Sequence, residues 1–298
     1  MSLFACGGDD SAATDASNDS TIDVTEEPEA AADVEVDAPP ETAIWVATDK
    51  TLYKFDPETR VLLRVADFDC SGEQMIDLAM NAREELFGIT TESVVRIDKT
   101  TGACTSIARG SQDLPFATAF IPATSLEAGV ERWVGYKLGV YDFIDTDSGA
   151  LTFGGTLSGD AGDYQASGDV VGLAGGRTYV TTFGFNPSYG DGLAEIDPNT
   201  GAPTAFDGYT TASSLFGLAQ WAGVIYVFAN DGRIYRANPI DGGVTMKIIG
   251  YTLDLGDAGA LDAGDDADAS SDASDDADAA PTVIHFRGAA VTTRAPTQ

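Results

Sequence analysis

The sequence predicts an all-β fold, a β-propeller of five four-stranded blades closed by a C-terminal strand, and three observations predict it. A strand-and-turn motif recurs five times, its spacing is 41 to 52 residues, and Trp45, Trp133, Trp221 and most Tyr and Phe residues lie between 43 and 252. A period of 40 to 50 residues built from short strands is propeller spacing. Six blades is the alternative count.

Each repeat opens with a short aromatic or aliphatic strand, as in Trp133-Val134-Gly135-Tyr136 or Ile225-Tyr226-Val227-Phe228. An alternating strand follows and runs into Asp56, Asp98, Asp145, Asp197 or Asn238, then a polar turn usually closed by Gly. In Asp197-Pro198-Asn199-Thr200-Gly201 the Asp side chain can accept from turn amides. Pro presets φ, and Gly takes the left-handed conformation that closes a bulged hairpin. All five Asp/Asn positions are therefore expected to be turn residues, not a catalytic or metal-binding array.

Apolar runs rich in small residues precede the aromatic strands at 75–79, 117–121, 170–174 and 215–219, and these should be the inner strands. The first repeat has no such run. A candidate stands at the other end, 284–293, and its pairing inside the first blade would close the ring without leaving an open sheet edge.

The formal charge of −32 is uneven. Residues 1–49 contain 13 acids and 253–286 contain 10, both without Lys or Arg, leaving 25 acids against all 16 basic residues elsewhere. Segments 1–42 and 255–281 are poor in large apolar residues and should be disordered, a leader or tether and a linker, with 43–254 plus 282–294 forming the propeller. No Lys/Arg cluster suits a phosphate backbone, so nucleic acid is not an expected partner. The Asp-rich stretch 257–278 lacks the terminal Glu of an EF-hand loop, and no metal site is expected there.

The repeat resembles the YVTN-like and quinoprotein-like propellers, in the version found as secreted lipoproteins of myxobacteria and their relatives. The resemblance covers about 43 to 252 and is strongest at 86–105 and 192–201. It implies the fold; propellers host both binding modules and enzymes, and no catalytic motif carries over. Leu3-Phe4-Ala5-Cys6 followed by Gly7-Gly8-Asp9-Asp10 resembles the end of a bacterial lipoprotein signal, which would make Cys6 a lipidation site followed by a polar tether. A lipid anchor would then be the membrane contact, since no run of 18 apolar residues occurs.

Cys70 and Cys104, 34 residues apart, could form a disulfide in an oxidising envelope or stand as two buried thiols. His285 is the single histidine, which excludes multi-His metal sites and makes His-dependent catalysis hang on one strand position. Two insertions, 158–169 and 184–192, should share one propeller face. They offer Asp160, Asp163, Tyr164, Asn186, Tyr189 and Asp191 as ligand-binding loop residues. The expected function is a cofactor-free, monomeric cell-envelope lipoprotein, outer-membrane or secreted, whose propeller binds a protein, peptide or glycan. The alternative is a propeller enzyme: a lyase, a hydrolase or a quinoprotein-like oxidoreductase.

Overall fold

The computed structural model describes residues 43–110, 113–159, 162–173, 175–183, 190–210, 212–240, 243–256 and 283–296. Blade 1 contains β1 (Ile44–Ala47), β2 (Thr51–Phe55) and β3 (Val61–Asp67), and blade 2 contains β4 (Met75–Met80), β5 (Leu86–Thr90), β6 (Ser93–Ile97) and β7 (Cys104–Arg109). Blade 3 is β8 (Ala117–Ile121), β9 (Arg132–Lys137), β10 (Val140–Ile144) and β11 (Leu151–Thr156). A small hairpin, β12 (Ser158–Gly159) and β13 (Gly162–Asp163), leads into blade 4: β14 (Ala166–Gly172), β15 (Thr178–Thr182), β16 (Gly192–Ile196) and β17 (Pro203–Tyr209). Blade 5 is β18 (Leu215–Trp221), β19 (Val224–Ala229), β20 (Ile234–Ile240) and β21 (Gly243–Ile249), followed by β22 (Thr252–Asp254) and β23 (Gly288–Ala290).

The inner strands lie where the apolar runs predicted them. Residues 158–169, expected to be a loop, instead carry the β12–β13 hairpin and the start of β14, which begins at Ala166. Blade 1 obtains its inner strand from the C-terminus, with β23 antiparallel to β1 in the register Trp45↔Ala290, Val46↔Ala289 and Ala47↔Gly288. The β22 strand caps the outer edge of the same blade by pairing parallel with β3. The inner strands touch in the order β23, β4, β8, β14, β18 and back to β23, so the ring is closed.

Packing follows the seams between blades. Each of five apolar clusters joins two neighbours: Trp45 and Leu52 with Met75 and Leu86; Phe87 with Phe120 and Trp133; Tyr136 and Val134 with Val170 and Val180; Tyr179 with Leu218 and Ile225; Phe228 with Ile44 and Phe55. Phe286 adds to the last seam and meets Phe228 edge-on at 5.5 Å. Burying a side chain of this size contributes on the order of 2 kcal/mol.

The repeated turns serve these same seams. Asp98 accepts from the Thr100 and Thr101 N–H groups at 2.8 Å each, and those bonds hold its carboxyl below the usual carboxylate range. Asp56, Asp145 and Asp197 make the corresponding turns. Each turn then leans on the preceding blade. The Tyr136 and Tyr141 hydroxyls donate to the carbonyls of Gly201 and Pro198, at 2.6 and 2.7 Å. Gly201 has φ +69°, and a Cβ there would sit 2.4 Å from the Tyr141 ring, so both backbone and space demand glycine.

Blade 5 departs from the pattern. Asn238 is not a turn residue: it pairs with Thr245 inside the β20–β21 ladder, which continues to Ile240↔Gly243.

Cys70 and Cys104 are joined as a disulfide with Cα atoms 4.8 Å apart. The flanking backbone is already aligned, since Asp69 donates its N–H to Gly102 and accepts from Cys104. Reduction should lower unfolding free energy by about 3–4 kcal/mol on loop-entropy grounds, measured by denaturant titration with and without reductant. At the ring closure, a Cβ on Gly288 would lie 2.1 Å from Asp77 Oδ1 and 2.7 Å from Asp77 Cα. Gly288→Ala should therefore destabilise the fold by about 1–3 kcal/mol, read as a lower urea midpoint.

Candidate functional site at the channel mouth

The five inner strands run the same way along the ring axis, so their first residues gather at one mouth of the channel. Below that mouth the channel is filled by side chains such as Leu78, Val170 and Leu218, which leave about 20 Å³ of space. Two acids stand in this packed zone. Asp77 on β4 and Asp169 on β14 are fully buried and hydrogen-bonded to each other.

Their placement comes from irregular inner strands: the β4–β5 register shifts between Met75 and Asp77, and the β14–β15 register between Ala166 and Val170. Asp77 accepts from Leu78 N–H at 2.8 Å and, across the seam to blade 3, from Thr118 N–H at 2.6 Å. Asp169 accepts from Val170 N–H at 2.6 Å, from Leu218 N–H on blade 5, and from Ala289 N–H on the closing strand. Burial, joined for Asp77 by the charge of Asp169, pushes both carboxyls well above the usual carboxylate range. The pair thus holds a proton between blades 2 and 4 and ties blades 3, 5 and 1 to it. It is a structural clasp, with its oxygens occupied by backbone donors.

Above the clasp opens a cleft of about 460 Å³. One residue from the head of each inner strand lines it: Ile76, Phe116, Ser167, Phe216 and Arg287. Phe183, just after β15, adds a wall and is 46% exposed. Arg287 is anchored through its N–H to Ala47 O at 2.8 Å, and its guanidinium lies 5.9 Å from the Phe216 ring centroid. The cleft therefore joins aromatic walls to one cation and to the hydroxyl-bearing Ser167, Ser213 and Ser214. Those groups can bind and orient a ligand. Among the lining residues there is no His, Cys or Lys.

The residues singled out in the sequence scatter. Asp191 lines the cleft, but as a buried group: burial raises its carboxyl, and it accepts from the N–H of Leu215 at 3.0 Å and of Ser214. It ties blade 4 to the start of blade 5. Asp163 is exposed on β13, while Tyr164 is half-buried against the blade 3 and 4 seam, and neither lines the cleft. Asp160, Asn186, Tyr189 and Cys6 lie outside the described residues. His285 is exposed with Nδ1 2.7 Å from Asn230 O, away from the cleft lining. Sequence reading missed Asp77, Asp169, Arg287 and the three phenylalanines. The available signal was a charge set in an apolar run, Met75-Ile76-Asp77-Leu78-Ala79.

Among the described residues no group of three or more His, Cys, Asp or Glu could hold a metal ion, and no helix is long and apolar enough to cross a membrane. No protein-family model matches the chain, and no curated protein matches it. Solved structures with similar backbones include BamB from Moraxella catarrhalis, 12% identical with TM-score 0.37 over 73% of this chain and 62% of that one. A protein of unknown function from Bacteroides caccae is 13% identical with TM-score 0.37, over 71% of this chain and 73% of that one. The β-propeller domain of Myceliophteria thermophila Cps50 (Swd1) is 13% identical with TM-score 0.40, over 70% of this chain and 67% of that one. The chain spans about three fifths of the BamB chain. At these scores the β-propeller assignment rests on the chain's own strand order and ring closure.

The clasp has a pH signature. Its folded carboxyls keep protons that the unfolded chain releases near pH 4, so the stability it contributes is full below about pH 4 and is lost as pH rises through the raised folded values. Urea unfolding of Asp77→Asn between pH 5 and 8 should show a shallower decline of stability with pH than the parent protein does.

Proposed function

We propose that this chain is a binding module of the cell envelope: a lipid on Cys6 and the polar segment 1–42 hold a monomeric propeller whose cleft face engages a protein, peptide or glycan. One observation carries the reading. The cleft gathers the exposed Phe183, the Arg287 guanidinium and serine hydroxyls at the heads of the inner strands, whereas Asp56, Asp98, Asp145 and Asp197 are spent in turns and Asp77 and Asp169 in the clasp. Binding sites of this kind are concave and mostly apolar, with a few polar groups fixing orientation. The Leu3-Phe4-Ala5-Cys6 resemblance and the acidic composition after it support the tether.

Fractionation in the native host tests the anchor: Cys6→Ala should move the protein from the membrane to the soluble fraction. Retention of envelope components on the immobilised full chain tests the module. Phe183→Asp should abolish that retention while leaving the thermal midpoint within a few degrees, because Phe183 is 46% exposed and outside the seams. A mutant that captures the same components as the parent would overturn the cleft as the binding face.

A further inference from the structure

Arg287 stands in a chain with a large excess of acids, 48 against 16 basic residues. Carboxylates are abundant, and Arg64, Arg109, Arg177, Arg233 and Arg294 have found them. Arg287, like Arg96, Arg132 and Arg236, makes no ion pair among the described residues and rests beside an aromatic ring, that of Phe216; of these four it is the one that lines the cleft. Its position is not accidental. Immediately before the strand that closes the ring, its backbone is pinned to Ala47, so its side chain enters the cleft from blade 1 while Phe216 meets it from blade 5.

The acid that shares the cleft does not answer it. Asp191 sits on blade 4, and its carboxylate accepts from the N–H groups of Leu215 and Ser214. A guanidinium held over an aromatic face at the rim of an apolar cleft is suited to one planar anion, which it meets with two parallel N–H donors. The remaining wall, Ile76, Phe116, Phe183 and Phe216, suits an apolar body attached to that anion. Depth sets a further limit. The channel beneath the cleft has about 20 Å³ of space, so a ligand stops at the mouth and must present an end.

We propose that the cleft binds a carboxylate carried on an apolar or aromatic body, the carboxylate pairing with Arg287 and the body lying among Phe116, Phe183 and Phe216. This rests on the binding-module reading and names the ligand chemistry. A free small acid and the C-terminus of an apolar peptide share that chemistry.

Isothermal titration of the full-length protein separates the cases, with 4-phenylbutyrate and its neutral amide as one pair and N-acetyl-Leu-Phe with a free or amidated C-terminus as the other. The parent protein should bind at least one acid about tenfold or more tighter than its amide, the discrimination expected of a charge-assisted pair. Arg287→Ala should erase that preference, Arg287→Lys should keep part of it, and Phe216→Ala should weaken acid and amide together. Circular dichroism shows whether each variant is folded, and Arg287→Lys keeps the test open if the alanine variant is not. Binding of the peptide acid without the small acid assigns the site to a chain terminus; binding of both assigns it to the free acid as well. Equal binding of acid and amide, an unchanged preference in a folded Arg287→Ala protein, or no binding of either acid at millimolar concentration overturns the proposal. No acid preference in the parent protein, together with capture of envelope components, would sink this inference alone. Acid binding without any envelope capture would sink the broader reading alone.

Discussion

Every blade in this ring depends on the pairing of three residues near the C-terminus with the first strand. Gly288, Ala289 and Ala290 supply blade 1 with its inner strand, and without them β1 would present an unpaired edge and β4 and β18 would lose a common neighbour. The constraint is steric as much as it is hydrogen-bonded. Five inner strands can close around so narrow an axis only if some side chains disappear: Gly288 faces Asp77 on blade 2 and Gly217 faces the closing strand, where a Cβ would meet neighbours at 2.1 and 3.0 Å. The clasp fits into the room this leaves. Asp77 and Asp169 take the place of a water-filled channel, accepting backbone N–H groups from three blades besides their own. A buried pair of acids is costly unless it is protonated and satisfied, and here both conditions are met by groups of the ring itself.

The proposed binding face follows from where this closure leaves the strand ends. A plugged axis turns what would be a pore into a blind cleft, and the heads of the inner strands become its wall. Arg287 reaches the cleft because the closing strand begins there. The residue that completes the ring and the residue that gives the cleft its charge belong to one short segment.

The turn motif shows how far a sequence pattern could be read. Asp98, Asp145 and Asp197 behave as the spacing implied, because an Asp two or three residues before exposed amides bonds to them whatever the surroundings. Asn238 did not, because the β20–β21 ladder runs on past it to Ile240↔Gly243 and takes it up opposite Thr245. The docking of each turn onto the preceding blade was not legible at all. Tyr136 and Gly201 are 65 residues apart and meet through ring geometry.

The sequence by itself determined the repeat, the inner strands and the need for a closing strand, since these rest on local periodicity, turn chemistry and the cost of an open edge. Only the tertiary structure decided the site. Which acids face the axis, which phenylalanine remains exposed and whether an arginine finds a partner depend on β-bulges and on contacts between blades far apart in the chain. Asp77 and Asp169, or Arg287 and Phe216, carry no spacing that would announce their meeting, because closure of the ring creates their proximity.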